Sequence, residues 1–189
     1  MEIYALGELY DAHDEPQRRE LKKKIKGFCC KSEAVGAFLK QNALRFDRYH
    51  IARTYLLFAN GRLEAYFTIA LGSIDKDNIA PMIKERLAPC QTPNKRREIA
   101  TLRLCQLAKQ ENSTIEGDAL MTSVLQILYS IHRSIGGYLI ELDALKVESI
   151  RALYARHGFI EIDEGEQSIK MMHYIPISQE SKIKKISTS

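Results

Sequence analysis

The chemistry of this chain is concentrated between Glu98 and Phe159, where two residue types stand in an informative order. Gly117 follows an apolar strand and opens a long helix, and the free N–H groups at such a helix start can hold a phosphate. Tyr154 lies on a second helix, four residues before Gly158, and offers a weakly acidic hydroxyl group. An anion-holding helix start beside a phenol predicts a phosphate-bearing cofactor that delivers a chemical group near the phenol.

The elements that must position these two residues alternate between strands and helices. Residues 98–108 predict an apolar strand, and residues 117–132 predict a helix with one apolar stripe that Gly136-Gly137 ends. Residues 138–142 form a nearly continuous apolar run, as expected of a strand that is covered on both faces. A second helix is expected over about residues 147–156.

The remaining elements flank this unit on both sides. Residues 2–10 fit a strand or a helix equally well, and residues 14–26 predict a charged helix that Gly27 ends. Ser32 is placed to cap a helix that continues to about Arg48.

The clearest local signal is a β-hairpin. Residues 54–58 and 63–71 are rich in aromatic and β-branched side chains, and Asn60-Gly61 supplies the positive φ angles of a two-residue turn. Residues 72–97 predict an excursion with one helical patch at 79–87. A final antiparallel hairpin is expected from residues 159–162 and 169–177.

These elements predict an α/β protein with a mixed, mostly antiparallel central sheet flanked by helices. We expect one domain over residues 1–177 and a disordered, lysine-rich tail over residues 178–189. Hydrophobic residues make up 45% and charged residues 28% of the 189 positions, which is typical of globular proteins. The chain has no apolar run of roughly 20 residues and no secretory signal, so we expect a cytoplasmic protein without a membrane span.

The histidines and cysteines lack the spacing of metal ligands, and no structural metal is expected. The net charge of +4 is unevenly distributed. Basic residues cluster at 18–26, at 95–97 and at 182–185. Each cluster fits either a solvated surface or a contact with a polyanion, such as nucleic acid or a cofactor's phosphates, and charge alone does not separate these interpretations.

Four segments of the sequence carry a resemblance to one superfamily. They are the strand end from Gln106 to Lys109 that leads to Gly117, the helix opening from Gly117 to Met121, the Tyr-x3-Gly-Phe ending within residues 152–159, and the pairing of residues 28–39 with residues 53–68. The chain resembles the GNAT superfamily of N-acetyltransferases, which transfer acetyl from acetyl-CoA to an amine. The fourth segment resembles a narrower branch that includes the acetyltransferase toxins that modify the amino acid on charged tRNA.

This resemblance implies a fold, a GNAT-like domain, and a set of site residues. Backbone groups of Leu107, Ala108 and Lys109 would contact the pantetheine arm of acetyl-CoA. Tyr154 would protonate the departing CoA thiolate or donate a hydrogen bond to it. The pyrophosphate loop would be formed by Asn112, Ser113, Thr114, Ile115, Gly117, Asp118 and Ala119.

The loop departs from the family pattern, which usually reads Gln or Arg, two residues, Gly, one residue, Gly or Ala. Only Gly117 remains of this pattern, the loop is shorter, and Glu116 and Asp118 bring negative charge toward a pyrophosphate. Two carboxylates that face the pyrophosphate would cost about 1–3 kcal/mol of cofactor affinity.

The acceptor amine and the general base stay open. Glu64, Glu98 and Glu141 are strand-borne carboxylates, and none is favoured as the base. An α-amine with a pKa of about 8 is partly neutral at pH 7, whereas a lysine with a pKa of about 10.4 is not, so a site without a strong base fits an α-amine better.

The resemblance to the toxin branch makes aminoacyl-tRNA a candidate acceptor, and it makes an antitoxin and a second copy of the chain candidate partners. Two alternatives to an enzyme are kept. One is a binding module that retains the fold without catalysis, and the other is an RNA-binding protein without enzymatic activity.

Overall fold

The computed structural model describes residues 1–75, 77, 79, 81, 84–85, 98–137 and 139–175. Within them the chain forms a sheet of seven strands in the order β1-β2-β3-β4-β5-β7-β6. The strands are β1 Glu2–Ala5, β2 Arg53–Ala59, β3 Arg62–Asp75, β4 Glu98–Lys109, β5 Leu139–Leu145, β6 Ile160–Glu164 and β7 Ser168–Tyr174. Neighbouring strands are antiparallel except for β4 and β5, which are parallel, so the predicted mixed, mostly antiparallel sheet is confirmed.

Helices cover both faces of this sheet. They are α1 Leu6–Ala12, α2 Glu15–Lys26, α3 Glu33–Gln41, α4 Ala43–Arg48, α5 Gly117–Ile135 and α6 Glu148–Arg156. Because side chains alternate along a strand, Leu56 of β2 packs in a core with α1–α4, whereas its neighbour Leu57 packs in a second core with α5 and α6. One apolar cluster therefore holds α1–α4 against one face of the sheet, and another holds α5 and α6 together against the opposite face.

Local signals set several of these boundaries. Asp14 accepts a hydrogen bond from the Gln17 N–H at 2.9 Å and forms a capping box that starts α2. Asn60 and Gly61 have φ angles of 51° and 72°, as the turn of the β2–β3 hairpin requires. Residues 2–10 contain both of the elements that the sequence allowed, because β1 ends at Ala5 and α1 begins at Leu6.

The single helix predicted from Ser32 to Arg48 is wrong, because Asn42 separates α3 from α4. The break redirects α4 so that its buried Asp47 faces β2. There the Asp47 carboxylate accepts hydrogen bonds from Arg53 Nη1 at 2.7 Å and from the Thr54 N–H at 3.0 Å. This tertiary contact satisfies a buried carboxylate, which a continuous helix pattern could not reveal.

The excursion predicted from residue 72 begins later than expected, because β3 continues to Asp75 and pairs there with Glu98 of β4. The helical patch predicted at residues 79–87 and the basic cluster at 95–97 lie largely or wholly outside the described residues. The tail at 178–189 lies outside them as well.

Gly72 of β3 lies beneath a buried polar pair, and its lack of a side chain makes room for that pair. The Thr101 hydroxyl donates a hydrogen bond to Glu141 Oε1 at 2.8 Å, and both residues are buried. A Cβ atom at Gly72 would lie 2.4 Å from Glu141 Oε1 and 2.6 Å from Thr101 Oγ1.

We therefore expect Gly72→Ala to lower the free energy of unfolding by about 2–4 kcal/mol, since it overpacks the core and displaces a hydrogen-bonded buried carboxylate. Urea unfolding measures this loss. Gly165→Ala is the control, because its Cβ would meet only the Ser168 carbonyl oxygen at 3.4 Å. An unchanged midpoint for Gly72→Ala would show that the pair moves aside without cost.

Candidate active site

The sheet opens where β4 and β5 separate. These strands are paired only from Thr101 and Leu139 to Leu104 and Leu142, although β4 continues to Lys109. Past this point the edge of β4 that faces β5 has no strand partner among the described residues, so its backbone groups are available to a ligand.

A β-bulge at Cys105 accounts for this separation. Thr68 of β3 faces Gln106, whereas the next residue, Ile69, faces Leu104, so Cys105 is the extra residue on β4. A bulge bends its strand and increases the local twist. Because the bulge directly follows the last β4–β5 pair, it turns the end of β4 away from β5.

The predicted pantetheine contacts Leu107, Ala108 and Lys109 lie on this diverging end of β4. The side chains of Leu107 and Ala108 pack against the two cores on opposite faces of the sheet. The Lys109 ammonium group donates a hydrogen bond to the Ile115 carbonyl oxygen at 3.0 Å. The three side chains are thus used for packing and loop structure, and the backbone edge is what β4 offers to a ligand.

The loop between β4 and α5 uses much of its own hydrogen-bonding capacity. The Ser113 N–H donates to the Gln110 carbonyl at 3.0 Å, and the Ile115 N–H donates to Ser113 Oγ at 3.1 Å. The Thr114 N–H donates to Oε2 of the buried Glu64 at 3.3 Å. These loop residues were predicted to contact the pyrophosphate, but their N–H groups already have protein acceptors.

The first turn of α5 offers free donors instead. The first intrahelical hydrogen bond of α5 joins the Leu120 N–H to the Glu116 carbonyl at 3.0 Å, and no side chain caps the helix. The N–H groups of Gly117, Asp118 and Ala119 therefore have no acceptor in the described part of the chain. Three free donors at the positive end of the helix dipole form an anion site.

Asp118 does not leave an unbalanced negative charge at this site. Its carboxylate accepts hydrogen bonds from Arg156 Nη2 at 3.1 Å and lies 3.0 Å from His157 Nε2. The hydrogen bond from Arg156 is the main cause that lowers the pKa of Asp118, with a smaller contribution from His157. Sequence reasoning missed these two residues as site components, because their meeting with Asp118 depends on how α6 packs against α5.

The same packing brings Tyr154 to the site. Its neighbour Leu153 lies against the start of α5, where a Cβ atom at Gly117 would be 3.6 Å from the Leu153 methyl groups. The Tyr154 ring is buried, and its hydroxyl has no hydrogen-bond partner among residues that the structure describes. Burial raises the pKa of Tyr154 to about 12, so the phenol stays protonated at neutral pH.

Aromatic side chains pack against the Tyr154 ring. Phe159 packs edge-on against it with ring centroids 5.6 Å apart, and His173 packs against Phe159 at 5.2 Å. The Tyr129 hydroxyl and His173 Nε2 are 2.7 Å apart, which fixes the imidazole ring. The position of the Tyr154 ring thus depends on packing against Phe159, which is in turn held by His173 of β7 and Tyr129 of α5.

Gly158 lies between α6 and Phe159 and has a φ angle of +82°. A Cβ atom there would lie 3.0 Å from His173 Nδ1, so both the backbone and the neighbouring ring favour glycine.

We expect Gly158→Ala to lower the free energy of unfolding by about 1–3 kcal/mol, as measured by urea unfolding. Gly61→Ala is the matched control, since Gly61 has a φ angle of +72° but nothing within 4 Å of an added Cβ. The free energy of unfolding that Gly158→Ala loses beyond the loss in Gly61→Ala measures the unfavourable contact of the added Cβ with His173. Equal losses at the two positions would mean that only backbone strain matters.

The three strand-borne carboxylates that were considered as a general base differ in their exposure. Glu98 is exposed, and the two buried candidates for a base, Glu64 and Glu141, are each hydrogen-bonded within the protein.

Among the described residues, no group of His, Cys, Asp or Glu side chains is arranged to hold a metal ion. No helix in the described ranges has the length and apolar character needed to cross a membrane.

Comparison with known proteins gives matches in structure but not in sequence. No protein-family model matches the chain, and no curated protein matches it. AtaT in complex with acetyl-methionyl-tRNAfMet is 20% identical, with a TM-score of 0.67 over 93% of this chain and 94% of AtaT. A KacT mutant in which a tyrosine is replaced by phenylalanine is 20% identical, with a TM-score of 0.66 over 90% of this chain and 92% of KacT.

A third match is an AtaT mutant toxin, also with tyrosine replaced by phenylalanine, bound to the C-terminus of the antitoxin AtaR and to acetyl-CoA. It is 19% identical, with a TM-score of 0.62 over 92% of each chain. These identities establish similarity of fold. The chain therefore shares its fold with AtaT and KacT, and this is the fold that the sequence resemblance implied.

Proposed function

We propose that this chain is an N-acetyltransferase that transfers acetyl from acetyl-CoA to a primary amine. One observation carries the proposal: the uncapped start of α5 lies against the helix that bears a buried, protonated Tyr154. The separation of β4 from β5 adds a backbone edge without a strand partner in the described part of the chain, at the end of β4 that leads to α5.

The residues present fit acetyl-CoA. The free N–H groups of Gly117, Asp118 and Ala119 would hold the pyrophosphate, and Arg156 balances the negative charge of Asp118 beside them. The diverging end of β4, from Leu107 to Lys109, would hold the pantetheine arm through its backbone. Because the N–H groups of Ser113, Thr114 and Ile115 have protein acceptors, we assign these residues to shaping the loop.

Acetyl-CoA supplies the acetyl group as a thioester, and its thiolate is the leaving group. In our proposal the Tyr154 hydroxyl donates a hydrogen bond to the sulfur as negative charge develops there. A phenol with a pKa of about 12 is a weaker acid than a thiol with a pKa of about 8.5, so complete proton transfer would be uphill by roughly 4–5 kcal/mol. Tyr154 therefore acts as a hydrogen-bond donor, and water completes the protonation.

We further propose that the acceptor is an α-amine, with aminoacyl-tRNA as the first candidate. None of the residues that the structure describes stands out as a strong base at the site, which suits an amine that is partly neutral at pH 7. The similar protein AtaT has a solved structure in complex with acetyl-methionyl-tRNAfMet, which supports this acceptor class. An antitoxin of the kind that AtaT binds is the corresponding partner, and a homodimer stays a proposal.

A non-catalytic binding module is the second candidate. The observation in its favour is that three loop N–H groups are occupied within the protein, which leaves acetyl-CoA fewer donors than a loop of the usual family pattern.

The deciding experiment incubates purified protein with radiolabelled acetyl-CoA and a panel of acceptors: aminoacyl-tRNAs, free amino acids, N-terminal peptides and a lysine peptide. We expect transfer to an α-amine and not to the lysine side chain. Binding of acetyl-CoA without transfer to any acceptor would favour the binding module. Absence of both binding and transfer would reject the proposal.

A further inference from the structure

A groove of about 650 Å³ lies between α2, α3 and α4. Its floor is apolar and is formed by Ile25, Leu39 and Leu44. Of the residues that the structure describes, no carboxylate lines it and five exposed cations do: Lys22, Lys26, Lys40, Arg45 and Arg48. The basic run at residues 18–26 contributes only two of these charges, and the fold adds the other three from α3 and α4.

Most of this charge is uncompensated. Arg48 lies 3.5 Å from Asp11, but the other four cations have no carboxylate within ion-pair distance in the described ranges of the chain. Four like charges around one groove repel each other, and an anionic ligand relieves that repulsion. Lys22 and Lys26 stand one helical turn apart on α2, so they can contact successive charges of an extended chain.

An aromatic ring stands at the rim of the groove. Tyr49 is 73% exposed, and it lies directly after α4 in a turn fixed by backbone hydrogen bonds. The Tyr49 N–H donates to the Arg45 carbonyl at 3.0 Å, and the Ile51 N–H donates to the Phe46 carbonyl at 3.0 Å. An exposed tyrosine on a hydrogen-bonded turn beside a row of cations is a combination that binds single-stranded nucleic acid, because bases stack on the ring while cations hold the phosphates.

We infer that the groove between α2, α3 and α4 binds a single-stranded polynucleotide, with phosphates on Lys22, Lys26, Lys40 and Arg45 and a base stacked on Tyr49. The exposed Tyr49 ring favours a single strand over a duplex, because only unpaired bases are free to stack on it. The same ring favours a polynucleotide over an acidic peptide, because a chain of carboxylates has no base to stack on it. This inference goes beyond the proposed acetyl transfer and does not depend on it.

Fluorescence anisotropy with a labelled twelve-nucleotide oligouridylate tests this site, because its length lies within the site sizes of single-strand-binding grooves. The groove variant is Lys22→Ala, Lys26→Ala and Lys40→Ala. Its matched control removes three exposed cations outside the groove, Arg19→Ala, Lys23→Ala and Lys31→Ala, so that both variants lose the same net charge.

For the groove variant we expect the slope of log Kd against log salt to fall by about 2, and the affinity at 0.1 M salt to fall about a hundredfold. The control should lose at most a few-fold. Tyr49→Ala should weaken binding about tenfold with the salt slope unchanged, because stacking releases no counterions.

Three results would overturn the inference. They are no binding of the oligonucleotide, equal losses for the groove variant and its control, and a duplex or polyglutamate that binds as tightly as the single strand. The measurements contain no acetyl-CoA and are repeated with Tyr154→Phe, which should bind RNA normally. Failure of acetyl transfer and failure of this site are therefore observed separately.

Discussion

Replacing Tyr154 with phenylalanine is expected to lower kcat for acetyl transfer by about 10²–10³-fold, while the Kd for acetyl-CoA changes less than about threefold. The substitution removes only the hydroxyl, and that hydroxyl has no partner among the described residues, so folding should be unaffected. Steady-state rates with the best acceptor, together with calorimetric titration of acetyl-CoA, measure the two quantities. A loss confined to kcat would identify a group that acts on the departing sulfur and not on cofactor binding.

Tyr10→Phe is the control for this experiment. Tyr10 is equally buried at 8% exposure, but it packs with α1–α4 on the opposite face of the sheet. It should keep full activity. If Tyr154→Phe also kept full activity, Tyr154 would be a core residue, as its helical position alone suggests.

The pH dependence of kcat/KM gives a second check on the role of Tyr154. Because burial raises the Tyr154 pKa to about 12, the phenol remains protonated from pH 6 to about 10. The wild-type rate should rise as the acceptor amine loses its proton near pH 8 and should then stay level. A decline below pH 10 that disappears in Tyr154→Phe would contradict this assignment.

Replacing Gly117 with aspartate is expected to weaken acetyl-CoA binding about 10–100-fold, or about 1.4–2.7 kcal/mol. The new carboxylate would lie at the first turn of α5. It would either accept hydrogen bonds from the free N–H groups or repel the pyrophosphate from them. Folding should not suffer, because a negative charge at a helix start is favourable and an added Cβ meets Leu153 only at an ordinary 3.6 Å. Cofactor affinity and stability are thus expected to change independently.

Gly117→Asn separates charge from size, since asparagine has nearly the same shape as aspartate. We expect it to lose much less affinity, and we expect the difference between the two variants to shrink in 1 M salt. Calorimetry at two salt concentrations measures both effects. Equal losses for aspartate and asparagine would mean that the backbone of Gly117, and not the electrostatics of the helix start, sets the affinity.

The sequence predicted well those parts of the fold that are determined by local periodicity. The unit from β4 to α6 has long, unambiguous apolar patterns, and glycines mark the ends of both helices, so its elements and their order are confirmed. The Asn60-Gly61 turn is equally local. The break at Asn42 could not be predicted, because it accompanies a contact of Asp47 with Arg53 and Thr54 that only the folded chain shows.

The candidate site was predictable only in outline. Gly117 and Tyr154 stand out by position, but the pairing of Asp118 with Arg156 depends on how two helices pack. Likewise, no pattern shows that the Thr114 N–H is already bound to Glu64, or that Cys105 forms a bulge. These features depend on strand register and on side chains from distant segments, so they appear only once the chain is folded.

The short seam between β4 and β5 divides the sheet into two units with little backbone pairing between them. One contains β1 to β4 and the other β5, β7 and β6, and backbone pairing joins them only from Thr101 to Leu104. Cooperative unfolding units often coincide with such substructures, so residues 139–175 are expected to exchange amide hydrogens as one group. A ligand seated between the two units would raise the protection of both, and hydrogen exchange would then report occupancy far from any contact with the ligand.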